Sequence, residues 1–194
     1  MVVAYAGKVI ESPTTRLLFK RTAADTDGAL LRFEQFVRGG TPEVPEHVHP
    51  KQEERFVVLS GRMGVRAAGR ERVLKAGEEV VVPPGTPHTF WNAGEEALHH
   101  VVELRPALEH EAFFETVFGL QRDGRFPLEG EKRPPNPFQG ALLVLGYGNY
   151  LAKPPISVQR ALFGPLALLG RLLGYRKSYP EYSDNQPERS EDER

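Results

Sequence analysis

HVHPKQEERFVVLSG, residues 47–61, places two histidines and then a glutamate on either side of a short break in an extended chain. Side chains in a β-strand alternate between its two faces, so His47 and His49 point one way and Val48 the other. Pro50 and the polar residues behind it interrupt the strand. In the run that follows, Glu54, Phe56 and Val58 share a face as far as the turn at Gly61. A carboxylate is thereby returned toward two imidazoles.

A second stretch, GEEVVVPPGTPHTFWN, residues 77–92, reads as a strand, a tight Pro-Gly turn and a strand that begins with His88. The two stretches resemble the two motifs of the cupin superfamily. The first motif is matched at His47, His49, Glu54 and Gly61, the second at Gly77, Pro83, Gly85, His88 and Asn92. Matched spacing over both motifs is far more specific than an isolated HxH. The likeness covers roughly residues 28–106, with one departure: Thr41 stands where the family's first motif usually opens with glycine, and Gly40 lies one position earlier. Glu53 and Glu54 face opposite sides of a strand, and the family's interval to Gly61 selects Glu54. Glu53 is then expected to be solvated or salt-bridged.

The resemblance implies an all-β fold, a cupin jelly-roll β-barrel of the RmlC-like kind, and one divalent transition metal held by His47, His49, Glu54 and His88. Neutral imidazoles and a carboxylate suit Fe, Mn, Zn, Ni or Cu, and a four-ligand set leaves positions open for water or substrate. The chain has no cysteine, so a metal must be held by nitrogen and oxygen. Barrels of this superfamily that hold no metal usually lack one or more ligands; here all four are present. By alternation Phe56, Val58, Met63, Val65 and Phe90 are expected inside the barrel as an apolar pocket, a pattern shared with ordinary core. Glu103 is a candidate inward carboxylate supporting the site or accepting a proton, but the favoured reading is a paired or edge position, since charged residues are rarely buried alone. His99, His100 and His110 have no partner at metal-ligand spacing and are expected at the surface or an interface. Trp91 is expected outside the barrel or at a subunit contact.

Around these motifs the chain divides in two. From residue 7 to 105, short β-rich runs at 30–37, 55–59, 63–67, 79–82 and 99–104 alternate with Gly/Pro turns, which is antiparallel barrel rhythm. Residues 1–106 are read as the barrel domain and 107–180 as a helical C-terminal extension, packed on the barrel or a dimer partner. Phe113, Phe114, Val117 and Phe118 mark a helix over 107–118; Phe138, Ala141, Leu142 and Leu145 mark a second. Between 156 and 173, Leu162, Leu166, Leu169 and Leu173 form a stripe interrupted by Pro165, predicting two short helices or one kinked helix. Residues 181–194 have almost nothing apolar to bury and are read as a disordered tail.

The 194 residues suffice for one core, and 25 basic against 26 acidic side chains leave no field for a nucleic acid or an anionic membrane. The N-terminus lacks the features of a secretory signal and no stretch is long enough to span a bilayer, so a cytoplasmic location is expected. No Gly-x-Ser-x-Gly elbow, phosphate loop or zinc-protease motif is present. The leading expectation is a metal-dependent dioxygenase using iron on a small organic molecule. A redox-neutral isomerase or lyase, and a non-catalytic barrel binding a small molecule or sugar, are the alternatives. The resemblance implies a homodimer paired through barrel faces, with the apolar 156–173 segment as extra surface to bury; the alternative for that segment is a lid over the barrel mouth.

Overall fold

The computed structural model of the chain describes residues 4–183. Among these, strands β1 (Val9–Glu11), β2 (Thr15–Arg21), β3 (Leu31–Val37), β5 (Glu53–Ser60), β8 (Glu79–Val82) and β10 (Leu98–Arg105) form one sheet in the order β1-β2-β3-β10-β5-β8. A second sheet has the order β11-β4-β9-β6-β7, with β4 (His47–Val48), β6 (Arg62–Ala67), β7 (Arg70–Lys75), β9 (His88–Asn92) and β11 (Tyr150–Leu151). The pairings are antiparallel, and non-consecutive neighbours such as β3-β10-β5 carry the crossovers of a jelly roll. The expected all-β barrel with appended helices is what the chain forms.

Alternation builds the core. In β5 Glu54, Phe56 and Val58 are buried and Glu53, Arg55 and Val57 less so; in β3 Leu31, Phe33, Gln35 and Val37 are the buried set. Phe19, Phe33, Phe56, Met63, Leu74, Val102 and Leu104, drawn from both sheets, belong to one buried cluster. One turn and one strand position depend on absent side chains. Gly61 has φ +83°, and a Cβ there would stand 2.8 Å from the Ala97 carbonyl oxygen, so only glycine joins β5 to β6 without strain. A Cβ on Gly64 would overlap the indole of Trp91, which lies across it on the neighbouring strand with the Arg66 guanidinium 5.7 Å away. Asn92 ends β9 by donating to the carbonyls of Val37, Arg38 and Glu96, while its Oδ1 accepts from Gly94 N. A buried side-chain amide thus ties three chain segments together.

Behind the barrel come α1 (His110–Arg122), α2 (Pro137–Tyr147), α3 (Ile156–Leu172) and α4 (Pro180–Ser183). Helix α1 begins later and runs further than the stretch 107–118. It is anchored to the barrel by a buried Lys8–Glu115 ion pair of 2.6 Å and by Glu111, which accepts from Ala23 N. Phe114, Val117 and Phe118 add to the barrel core. Helix α2 opens with Asn136 as N-cap, accepting from Phe138 N and Gln139 N ahead of Pro137, and ends at Gly148 in the left-handed conformation. Helix α3 is one continuous helix rather than two. Pro165 and Ala161, whose carbonyl loses its donor, are both exposed, so that carbonyl can be hydrated instead of left bare.

The segment after residue 106 is not purely helical. Its strand β11 pairs with β4, Tyr150 opposite Val48 and Leu151 opposite His47, and Ala152 N donates to the Glu46 carbonyl. Gln159 of α3, fully buried, bonds both the N–H and the carbonyl of Leu151, together with the Pro154 carbonyl. The sheet edge is closed by a side chain instead of being left to pair with another chain. Of the expected tail 181–194, residues 181–183 instead complete α4, because Tyr182 has a core to bury in, and the rest lies outside the described residues. No helix among the described residues is long and apolar enough to cross a membrane.

Candidate metal centre

Strand pairing sets His47 directly opposite His88, on β4 and β9 of the five-stranded sheet. Glu54 comes from β5 in the other sheet. His49 follows β4, and its carbonyl accepts from Gly85 N at 2.9 Å, so the Pro-Gly turn of the second motif holds the backbone of the first. The four side chains each offer a donor atom, and these atoms lie within 4.8 Å of one another. His49, Glu54 and His88 are at most 6% exposed, and His47 is partly exposed at the rim.

Local carbonyls aim the rings. His47 Nδ1 lies 2.8 Å from the Pro45 carbonyl and His88 Nδ1 lies 2.9 Å from that of Thr86. An N–H donated there leaves each Nε2 to face the cluster, the usual arrangement of a metal-ligating histidine. His88 Nε2 is 2.7 Å and His49 Nε2 3.5 Å from Glu54 Oε2. Burial works to raise the Glu54 carboxyl, but hydrogen bonds from His49 and His88 outweigh it and hold the pKa well below the carboxylate range. For His88 burial works downward, and the hydrogen bond and charge of Glu54 prevail and raise it. His47 is pushed down to about 3, by desolvation first and then by His88 and His49. Donors sharing one ion at about 2.1 Å stand at most about 4.2 Å apart, so this set would close on an ion with shifts of a few tenths of an ångström. The donor chemistry, three imidazoles and a carboxylate that is ionised as it stands, fits a divalent transition metal.

Comparison with known proteins gives the same family. A family model described as Cupin domain matches residues 33–102. Over 198 residues the chain is 34% identical to the probable oxidoreductase virH of Hypocrea virens (strain Gv29-8 / FGSC 10586), covering 93% of this chain and 88% of that protein. The chain is a cupin. To the probable oxidoreductase yanE of Aspergillus niger (strain ATCC 1015) it is 32% identical over 157 residues, 73% of this chain but only 59% of that protein. A solved RmlC-like cupin from Shewanella frigidimarina NCIMB 400 aligns at a TM-score of 0.45 and 17% identity, over 57% of this chain and 98% of that one. The match to virH extends through the helical segment as well as the barrel, since it spans nearly the whole chain.

Inside this cupin Phe56, Val58, Met63 and Val65 are buried core residues, with Phe90 packed half-buried against them. His100 corrects the expectation of a surface or interface position. It is fully buried and in phase with Leu98, Val102 and Leu104, with its ring 5.6 Å from Phe90 and 6.1 Å from Phe56. His110 is corrected likewise: the first residue of α1 is 1% exposed, and its ring centre lies 5.2 Å from that of His49. Desolvation pushes each of these two histidines down to about 3. Among the described residues neither ring's nitrogens have a hydrogen-bond partner, and His49 Nδ1 has none. Of the three, His99 alone lies outward, stacked on Phe36 at 4.0 Å and bonded to Glu34.

Glu103 takes the paired position favoured for it, not the inward one. It sits on the opposite face of β10 from His100 and Val102, where Arg105 donates to it at 2.6 Å and Arg55 at 3.2 Å, with Arg32 at 3.7 Å. Burial alone would raise its pKa; Arg105 and then Arg55 outweigh that and lower it. The strand period that puts Glu54 inside puts Glu103 outside, so it supports no ligand. Glu53 likewise faces away from Glu54, opposite Arg105 in the ladder. His110 has no spacing signal, because it reaches the barrel from a helix beyond it. His100 was findable from its phase with the apolar residues of β10.

Proposed function

We propose that this cupin is a metal-dependent oxidoreductase of the dioxygenase type, acting on a small organic molecule. The observation that carries the reading is the convergence of His47, His49, Glu54 and His88 from two sheets onto one buried point. The oxidoreductase names of virH and yanE support it. Iron bound there would supply Lewis acidity and a redox couple for oxygen, and Mn, Zn, Ni or Cu would suit the same donors. Glu54 would offset part of the ion's charge, and the carbonyls of Pro45 and Thr86 would hold His47 and His88 in the ligating tautomer. Phe56, Val58, Met63, Val65 and Phe90, packed as core, would keep water from the barrel side of the centre.

The chain is stripped with a chelator, reloaded with Fe(II), Mn(II) or Zn(II), and assayed for oxygen uptake against a panel of small phenols, enols and hydroxy acids. Metal-dependent oxygen uptake with at least one compound is expected. Turnover that persists without oxygen would replace this reading by isomerase or lyase chemistry. A compound that raises the melting temperature and is never altered would replace it by simple binding.

We further propose a homodimer formed through α3. Its residues Val158, Leu162, Leu168, Leu169, Leu172 and Leu173 are all exposed, Leu172 to 77%, while Ala167 and Gly170 face α2. An apolar face of that extent is a burial site for a symmetric partner. Sedimentation at micromolar concentration should give twice the chain mass for the parent and the single-chain mass for Leu169→Glu/Leu172→Glu. A parent that sediments as one chain refutes it.

A further inference from the structure

We propose that His110 is the residue that binds, by hydrogen bonding, an anionic or hydroxyl oxygen of the small molecule held at the metal centre. The inference rests on reading the four-residue cluster as a metal site and adds a residue that neither motif contains. His110 opens α1, and α1 is fixed to the barrel by the Lys8–Glu115 pair and by the bond from Ala23 N to Glu111. The helix therefore has little freedom to withdraw the ring. One side of the imidazole is covered by Phe113 and Phe114, with ring centres 5.7 and 6.3 Å away. The edge toward the site meets His49 at 5.2 Å.

A histidine that only filled this space would carry a cost that leucine or phenylalanine would not. Both its nitrogens are buried and without a partner among the described residues, and buried polar groups are normally hydrogen-bonded. The ionisable groups near it are His49, His47 and Glu54, all members of the cluster. None bonds to it, and its nitrogens are not among the donors that converge at the centre. His110 is outside the set of converging donors, yet its ring packs against that of His49, which places it beside whatever an ion at that point would bind. With one N–H and one lone pair, a neutral imidazole donates to an oxyanion or exchanges hydrogen bonds with a hydroxyl.

The test uses the full chain loaded with Co(II), with azide as the probe and visible absorption as the readout. Wild type, His110→Leu and His110→Gln are compared, and Co(II) affinity is measured separately by competition with a chelator. Co(II) affinity should agree within about twofold among the three. Azide should bind His110→Leu about tenfold more weakly than wild type, the loss of one hydrogen bond to a charged group, with part of the loss recovered in His110→Gln. The glutamine variant also covers the case in which leucine does not fold. Co(II) binding with equal azide affinity in wild type and His110→Leu, or with no azide binding to wild type, overturns the role of His110 and leaves the metal centre standing. Failure of wild type to bind Co(II) overturns both.

Discussion

Glu54→Ala and His88→Ala should each bind a divalent transition metal at least about a hundredfold more weakly than the parent chain, beyond the range seen when a group that merely supports a ligand is lost. The two changes should also weaken the metal-free fold. Glu54 and His88 are both buried and 2.7 Å apart, and removing either leaves the other's charge or polar nitrogen without its partner, at a cost of about 3 kcal/mol. His49→Ala should lose the metal with a smaller effect on the metal-free chain, because its contact with Glu54 is 3.5 Å and its other nitrogen has no partner. The pH dependence has a definite sign. His88 is raised above its ordinary 6.5, so near neutrality the metal must displace its proton. Apparent affinity should therefore fall about tenfold per pH unit as the solution is acidified below the His88 pKa. Titrations with a chelating competitor from pH 8 to pH 6 measure both effects; an affinity independent of pH, or retained in His88→Ala, would remove His88 from the ligand set.

The second large effect is acid lability, of which His100 supplies one part beside His47 and His110. The folded pKa of His100 is about 3, against 6.5 for the free side chain, because burial disfavours the imidazolium. Below 6.5 the unfolded chain binds a proton that the folded chain refuses, so stability falls with falling pH until about pH 3. The slope is about 1.4 kcal/mol per pH unit for this one residue. His88 has the opposite linkage: its contribution is fully present below 6.5 and is lost only as pH rises through its raised folded pKa. Glu54's contribution is retained until pH falls below the carboxylate range, since its folded pKa is depressed. Neither masks the His100 effect between pH 6.5 and 5. Urea denaturation of the metal-free chain should show His100→Leu losing about 2 kcal/mol less than wild type over that interval. Equal pH slopes in the two proteins would show that His100 is protonated in the fold.

The motif residues were readable because their geometry is local. His47 and His49 share a face by the period of a strand, Glu54 falls in phase with Phe56 and Val58, and Gly61 and Gly85 mark turns with positive φ. The same period, carried into β10, separates His100 from Glu103, which the three arginines around it hold as the paired residue that the rarity of lone buried charges favours. Strand β11 escaped notice because two residues between a glycine turn and a proline carry no alternation to detect. Pro165 argued against a continuous helix, and α3 continues through it because the proline lies on the face turned away from α2.

By itself the sequence determined the β-rich half of the chain, the two ligand-bearing segments and the donor types, since alternation, turn chemistry and the absence of cysteine act over a few neighbouring residues. Tertiary structure decided which side chains meet. Pairing β4 with β9, and facing that sheet with the one containing β5, brings Glu54 to His88. Docking α1 by a buried ion pair brings His110 to His49, and closing the edge of β4 with β11 depends on Gln159 from a helix further along. These contacts join residues far apart in the chain, where no local periodicity operates and only burial of the shared core selects the partner.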